Sequence, residues 1–416
     1  MSLKDELRGP SIMTFRLTAS ALAACATVLG TPAPTSADCE CWHYVRAEGS
    51  TENATFSAVS APSFDTAFAA GGRGGMPLLA HWNGVRWRET ALPVPRDTTM
   101  EGVAASSTGD AWAVGYTPDG TAHTAHWTGE RAWEAVPMPV HERSLPRAVD
   151  ARSPRDAWIV GSRGEAHARA ASWHWNGRRW RTVAVPDLSE RSEPAGPRER
   201  AHSELVAVSA LAADDVWAVG SSGSAASPSG AGPGQGGDAV RRAVITHWDG
   251  RTWTLVPAAP TRAAGGTSQS VLADVVALSP NDVWAVGTAS PGTDVPLAQH
   301  WNGTVWEHVP IPLVRGRLYS VAGDGRGGVW AAGERTDGTA LLAHWNGERW
   351  EVSGAPTPGD LEPGEGAPTG HGSGAVQDLA NARGTSYLWA VGAYARPGPD
   401  EPVPHLLTWT NAPRHR

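Results

Sequence analysis

A motif of the form His-Trp-x-Gly-x-x-Trp recurs along almost the whole chain, and it constrains the fold more than any other feature. Five copies keep this spacing, a sixth contains one extra residue, and a seventh is degenerate. The copies begin at His81, His126, His174, His247, His300, His344 and Thr408. Where no long loop is inserted, successive copies lie 44 to 48 residues apart. Such a period indicates one supersecondary unit that is repeated seven times.

Each repeat contains four apolar segments of strand length. The first carries a Val nine residues before the aromatic residue of the second, at Val59, Val103, Val149, Val208, Val275 and Val321. The seventh copy is shifted by one residue and has Leu379 instead. The second is a Val-Trp-Ala-Val-Gly run around Trp112, Trp158, Trp217, Trp284, Trp330 and Trp389, with Phe68 in the first copy. The third ends at His-Trp, and the fourth begins at the next Trp. Asn-Gly or Asp-Gly between them favours a hairpin turn. Each repeat therefore predicts an antiparallel four-stranded sheet, which is the blade of a β-propeller.

The two ends of the chain are predicted to close the ring together. The seventh copy, Thr408-Trp409-Thr410-Asn411, lacks a fourth strand, whereas Trp42-His43-Tyr44-Val45 reproduces the fourth-strand pattern of residues 306–309. We predict that residues 40–47 complete the seventh blade, which removes free sheet edges. The predicted fold is an all-β, seven-bladed propeller of four-stranded antiparallel blades. Repeat positions then account for 20 of the 21 Trp residues and leave out Trp173.

With these motifs the chain resembles kelch-type propellers, in its strand order and in the Gly that ends the second strand. It is similar in particular to secreted bacterial propellers built from Asp-Val-Trp-Ala-Val-Gly and His-Trp-Asn-Gly-x-x-Trp repeats, which match residues 282–287 and 300–306 here. The kelch double glycine is mostly absent, with Gly71-Gly72 as the exception. The turn 249–253 resembles the Asp-box of sialidases but lacks its first Ser. The resemblance implies the fold and a partner-binding face, but no particular ligand, because propellers host many functions.

The first 37 residues have the pattern of an export signal. Lys4, Arg8 and Arg16 precede an apolar stretch, 17–30, and residues 35–37 resemble a cleavage site. We expect residues 1–37 to be a signal peptide, residues 38–416 to form a single propeller domain, and the protein to be secreted.

The three cysteines leave alternatives open. Cys25 follows Leu-Ala-Ala, as in a bacterial lipobox, so a lipid anchor at Cys25 is the alternative to secretion. Cys39 and Cys41 are too close in sequence for an unstrained disulfide. They could pair with another chain or remain free thiols.

Composition and charge argue against several classes of function. A formal net charge of −8 and a pI of about 6.0 give no general attraction to nucleic acid or to an anionic membrane. The stretch 17–30 is too short to span a membrane, so we expect no transmembrane segment. We also expect a monomer without a cofactor. Each His of a His-Trp pair lies in a different blade and is expected to make a local hydrogen bond instead of binding metal.

The connections predict a long-loop face. The turns between the first and second strands and between the third and fourth are short, whereas we expect the other two connections to be long and irregular. Those two open on the same side of an antiparallel blade, which we call the long-loop face. Loops on a rigid scaffold commonly bind ligands. The candidate binding residues are Arg191, Arg198 and Arg200 in loop 187–203, and Arg147, Arg317 and Tyr319 near the starts of first strands.

The first strands are predicted to line a central channel. Near their starts lie Glu101, Arg147, Glu204, Asp274, Tyr319, Gln377 and Asp378. We expect a binding propeller that recognises a protein or glycan through its long-loop face. The alternative is an extracellular hydrolase or lyase that uses Glu101, Arg147, Glu204 and Asp274, which requires two carboxylates about 5 to 9.5 Å apart. Ordinary polarity of strand ends around a hydrated channel would also explain these residues.

Overall fold

β-Strands form the regular secondary structure of the described chain. The computed structural model describes residues 42–45, 52–129, 132–139, 143–165, 168–188, 201–224, 241–260, 269–290, 294–354, 373–396 and 403–412. These residues fall in one compact unit, Glu40–Arg416. They form seven antiparallel four-stranded sheets and contain no helix, so none of them belongs to a helix that could cross a membrane. The predicted seven-bladed propeller is confirmed.

The strands follow the four segments of each repeat. Blade 1 contains β2 (Ala54–Ser63), β3 (Thr66–Arg73), β4 (Met76–Trp82) and β5 (Trp87–Glu89). Blade 2 contains β6 (Thr99–Ser107), β7 (Asp110–Tyr116), β8 (Ala122–Trp127) and β9 (Trp133–Ala135). Blade 3 contains β10 (Ser144–Ser153), β11 (Asp156–Arg163), β12 (Arg169–Trp175) and β13 (Trp180–Val183). Blade 4 contains β14 (Ala201–Ala212), β15 (Asp215–Ser224), β16 (Arg241–Trp248) and β17 (Trp253–Val256).

The remaining blades complete the ring. Blade 5 contains β18 (Gln269–Ser279), β19 (Asp282–Ser290), β20 (Val295–Trp301) and β21 (Trp306–His308). Blade 6 contains β22 (Arg317–Gly323), β23 (Val329–Glu334), β24 (Ala340–Trp345) and β25 (Trp350–Gly354). Blade 7 contains β26 (Ser373–Asn381), β27 (Leu388–Arg396), β28 (Val403–Thr410) and β1 (His43–Tyr44).

Blade 7 is closed by the N-terminal strand, as predicted, but its register corrects one assignment. Tyr44 pairs with Trp409 and His43 with Thr410. Trp389 lies opposite Thr410, as Trp284 lies opposite His300 in blade 5. Thr410 therefore occupies the His position and Asn411 the Trp position. Trp409 lies two residues before the Trp position to which the motif assigned it, at the place that Trp173 occupies in blade 3.

Tryptophan side chains pack each blade against the next. The ring of Trp112 in blade 2 stacks on His126, with the centroids 4.0 Å apart, and lies 4.8 and 4.9 Å from Trp175 and Trp180 of blade 3. Trp112 is fully buried. Such aromatic pairs contribute about 0.5–1.5 kcal/mol each beyond the area that they bury. The same arrangement recurs around the ring, including Trp389 of blade 7 against two Trp of blade 1, so these residues are core.

The His of the repeat are structural. Five accept or donate a hydrogen bond of 2.7 to 2.9 Å at a carboxylate of the same blade, in the pairs Asp110–His126, Asp156–His174, Asp215–His247, Asp282–His300 and Asp324–His344. In blade 1 the expected bond is missing, because Thr66 occupies the register position of Asp110. The Nε2 atom of His81 is buried without a partner, and burial lowers its pKa. No group of three or more metal-binding side chains occurs among the described residues.

The lengths of the connections correct another expectation. The second-to-third connection is not generally long: blade 1 makes it with only Gly74 and Gly75, which both have positive φ angles. The long connections 189–200, 225–240 and 355–372 lie outside the described residues. The side of the disc that they share is still the long-loop face, and the opposite side is called the short-turn face.

Candidate functional site

A β-bulge in each first strand aims one residue at the propeller axis. The register of each first strand shifts at one extra residue near its start. Bulges change the direction of a side chain and are frequent near functional sites. All seven extra residues line a central cavity of about 340 Å³. They are Ser57, Glu101, Arg147, Val206, Ala273, Tyr319 and Gln377.

Glu101, Arg147 and Glu204 come together at the long-loop end of the cavity. The Arg147 guanidinium donates hydrogen bonds to Glu101 Oε1 and to the Tyr116 hydroxyl, both at 3.1 Å, and its Nη2 lies 3.7 Å from Glu204 Oε2. Arg241 Nη1 approaches the other oxygen of Glu204 at 3.5 Å. We call these five residues the Arg147 cluster. It places opposite charges in contact at the meeting point of blades 2, 3 and 4.

Burial shifts the pKa values of Glu101 and Tyr116 in this cluster. Burial raises the pKa of Glu101 above its ordinary value, while the charge of Arg147 and the hydrogen bonds from Tyr116 and Arg147 act to lower it. Burial and the negative charge of Glu101 also raise the pKa of Tyr116. Arg147 keeps 28% of its side chain exposed. A guanidinium that is held by two carboxylates, but still open to solvent, can recognise a further polar group.

Tyr319 and Arg317 lie in a second group of polar residues, on blades 5 and 6. The Tyr319 hydroxyl donates a 2.5 Å hydrogen bond to Glu334 Oε1. Arg317 donates a 2.6 Å hydrogen bond to Asp294 Oδ2. Tyr319 lines the cavity, whereas Arg317 lies outside its lining and is half exposed. The structure therefore does not bring Arg317 and Arg147 into one cluster.

Asp274 lies apart from the Arg147 cluster and deeper along the first strands. It occupies the position directly after the bulge, which holds Ala58, Gly102, Ala148 and Ala207 in blades 1 to 4. Its carboxylate contacts blade 6, at Ser320. The structure consequently does not assemble the four residues of the enzyme alternative into one constellation. Asp378 occupies the same position in blade 7.

Several predicted features fall outside the described residues. They are Arg191, Arg198 and Arg200, the segment 1–37 with Cys25, and Cys39 and Cys41. Conversely, Tyr116 and Arg241 belong to the Arg147 cluster but were missed by the sequence argument. Both stand at strand ends on the long-loop face, at the end of β7 and the start of β16. That shared edge was the signal that could have found them.

The fold and its axial cavity place the chain in the class of seven-bladed β-propellers. No family model and no curated protein sequence matches it. Among solved structures it is similar to YCF48 bound to a D1 peptide, with 13% identity, a TM-score of 0.52, and coverage of 88% of this chain and 96% of that one.

Two polysaccharide-acting enzymes are similar in the same way. A PL25 ulvan lyase, bound to a GlcA–Rha3S fragment, has 10% identity, a TM-score of 0.51, and coverage of 87% of this chain and 95% of that one. The GH74 xyloglucanase from Xanthomonas campestris has 15% identity, a TM-score of 0.51, and coverage of 87% and 55%. At these identities the likeness establishes the fold alone.

Proposed function

We propose that this chain is a binding propeller that recognises a protein or a glycan through its long-loop face. One observation carries the proposal. At the bulge of each first strand the seven blades present seven different residue types to the cavity, whereas the Val of the first strand, the Trp of the second and the His-Trp of the third recur in most blades. A position that only maintained the fold would be expected to repeat with the fold, so its variation favours recognition of an asymmetric ligand.

The Arg147 cluster supports a polar ligand. Its groups lie at the cavity end where the variable connections begin, and Arg147 is partly open to solvent. YCF48 holds a peptide and the ulvan lyase holds a sugar polymer, so both partner classes suit a propeller. The kelch-like repeat pattern fits the same role, since the corresponding face of kelch proteins commonly binds partners.

The second candidate is an extracellular hydrolase or lyase, and one observation favours it. Glu101 and Glu204 contact the same guanidinium, and burial raises the pKa of Glu101. A carboxyl group with a raised pKa is suited to donate a proton as a general acid. Glu101→Gln would abolish turnover of a polymer if this candidate is correct.

We also propose, from the sequence, that residues 1–37 direct export and that residues 38–416 are the mature propeller. Mass spectrometry of the protein recovered from the culture medium would test this. A mature N-terminus at Asp38 supports secretion. A diacylated or triacylated N-terminal Cys25 would instead show a lipid anchor.

The binding proposal is tested by exposing the purified protein to peptide and glycan arrays, with turnover assayed on each hit. For each ligand found, we expect Arg147→Gln to weaken affinity at least tenfold. The control is Arg349→Gln, which makes the same chemical change in a short turn where the side chain is 77% exposed. Equal affinity of both variants and the wild type would contradict a site at the Arg147 cluster.

A further inference from the structure

Blades 5, 6 and 7 carry a polar group in the channel that the binding site does not use. The position after the bulge is Ala or Gly in blades 1 to 4, but Asp274, Ser320 and Asp378 in blades 5 to 7. Ser320 is 1% exposed and lies between the two carboxyl groups. Its Oγ is 2.8 Å from Asp274 Oδ2 and 2.7 Å from Asp378 Oδ1. The two carboxyl oxygens therefore lie within two hydrogen-bond lengths of each other.

These three side chains also tie consecutive blades to each other. Asp274 accepts a hydrogen bond from the Val321 N–H of blade 6 at 2.8 Å. Ser320 accepts one from the Leu379 N–H of blade 7 at 3.1 Å. Asp378 accepts one from the Val59 N–H of blade 1 at 2.7 Å. The chain of bonds crosses three junctions, and the last of them is where blade 7 meets blade 1.

When both carboxyl groups are ionised, the Asp274–Ser320–Asp378 group has one proton fewer than its hydrogen bonds require. A Ser hydroxyl carries one hydrogen and can donate it to one acceptor only. Two carboxylates at hydrogen-bond distance from one hydroxyl therefore require a second proton, which a carboxyl group must carry. Without it, two negative charges face each other across the buried Ser320, and their repulsion disfavours the doubly ionised state.

We propose that Asp274, Ser320 and Asp378 form a proton-binding bridge, which holds blades 5, 6, 7 and 1 together more firmly with one shared proton than with both carboxyl groups ionised. The surroundings of the two carboxyl groups agree with a shared proton. Burial, followed by the negative charge of Asp378, raises the pKa of Asp274 to about 7. Burial also raises the pKa of Asp378 to about 6. The other ionisable side chains that line the cavity are Glu101, Tyr319, Arg147, Asp150 and Arg383.

The direction of the pH effect follows from these pKa values. An Asp with an ordinary pKa of 3.8 in the unfolded chain and a higher pKa in the folded one binds more protons when folded. The free energy of unfolding then falls as the pH rises from about 4 to about 7. The stabilisation by the bound proton is fully present only below the pKa of Asp in the unfolded chain. The ring should be most strongly closed in mild acid.

The test compares unfolding of the full chain at several pH values with that of Asp378→Asn. In this variant an amide nitrogen in place of Oδ1 can donate to Ser320, and the carbonyl in place of Oδ2 accepts from Val59. The Leu379 N–H, which also donates to Oδ1 in the wild type, keeps Ser320 Oγ as its acceptor, so no proton has to be taken up. Between pH 5 and pH 8 we expect the unfolding constant of the wild type to rise roughly tenfold more than that of the variant. The control Asp337→Asn, in an exposed turn of blade 6 whose Asp accepts from Thr339, should behave as the wild type.

A second measurement is infrared spectroscopy of the wild type and of Asp378→Asn. The infrared band of protonated carboxyl groups should be present in the folded wild type at pH 5.5 and should disappear with a midpoint between pH 6 and pH 7. The variant spectrum at pH 5.5 should show a weaker band. Identical pH slopes for wild type and Asp378→Asn, or no protonated band in the wild type, would overturn the bridge. A loss of ligand binding at the Arg147 cluster would leave it intact.

Discussion

The two faces of the disc use charged residues in opposite ways. On the short-turn face, the same Asp–His pair under the same Trp recurs in five blades. At the long-loop end of the channel, the bulge residue differs in every blade, and Glu101 and Arg147 meet only because adjacent blades carry them.

This contrast distinguishes two kinds of residue in a repeat protein. A residue that recurs at one register position in most blades satisfies a need of the blade itself. A residue that occurs once cannot do so, because its sister blades fold without it. Apart from the Asp274–Ser320–Asp378 bridge, which joins blades at one part of the ring, stability is therefore expected to depend on the repeated positions, and recognition on the unique bulge residues. The predictions below test this division, from the largest expected effect on stability to the smallest.

Truncation of a repeated aromatic residue should cost the most. Trp112→Ala removes a fully buried ring that contacts His126, Trp175 and Trp180. We expect a loss of about 3–5 kcal/mol of unfolding free energy, because a large cavity opens between blades 2 and 3. Chemical denaturation measures it, and a loss below ~1 kcal/mol would show that the repeated positions do not carry the stability.

Loss of a repeated polar pair should cost less. Asp215→Ala leaves the His247 ring without its 2.9 Å hydrogen bond at the base of blade 4. A half-buried donor without a partner costs about 1–3 kcal/mol. Ligand binding should be unchanged, since the pair lies on the short-turn face. Weaker binding in a variant that remains folded would contradict the proposed division between the faces.

Restoring the missing pair in blade 1 should stabilise the protein. Thr66→Asp places a carboxyl group at the position from which Asp110 bonds His126 in blade 2, and so supplies a partner for the unpartnered Nε2 atom of His81. We expect a gain of about 0.5–1.5 kcal/mol from the new hydrogen bond. The pKa of His81, which burial now lowers, should rise beside the new negative charge. Thermal unfolding and an NMR titration of the imidazole check the two effects separately.

The smallest change in stability is expected at the unique site. Arg147→Gln removes the charge that Glu101 and Glu204 share, but the group is partly exposed, so we expect a loss of about 1 kcal/mol or less. The pKa of Glu101 should rise further, because Arg147 acts to lower it. An NMR titration of the Glu101 carboxyl group tests this. A fall in that pKa would mean that Arg147 does not contact Glu101 in solution.

Most of the fold could be predicted because the repeat states the same pattern several times. Val59 and its six equivalents all lie on first strands, at one register position. The prediction was wrong where it depended on a single, degenerate copy of the motif. In blade 7, Thr408-Trp409 resembles His-Trp, but the pairing of Trp389 with Thr410 moves the motif by two residues, to Thr410 and Asn411. The local sequence could not show this, because register depends on partners in other strands.

The site could be predicted only in part. The order of strands predicts that Glu101 and Arg147 lie near one end of the channel, and in the structure both line the cavity and contact each other. Contacts between blades depend on bulges and on side-chain directions, which a sequence motif does not contain. The sequence around Ser320 therefore did not predict that this residue links Asp274 to Asp378.

The closure of blade 7 has a consequence for the timing of biosynthesis. Val45 and Thr408, which are joined by backbone and side-chain hydrogen bonds, are 363 positions apart in the chain. During translation β1 therefore emerges from the ribosome long before β28, the strand with which it pairs, has been synthesised. Until translation reaches residue 410, the growing ring has an unpaired edge, which is a hazard for aggregation. A product that stops short of β28 would keep that edge, so this architecture distinguishes complete chains from incomplete ones.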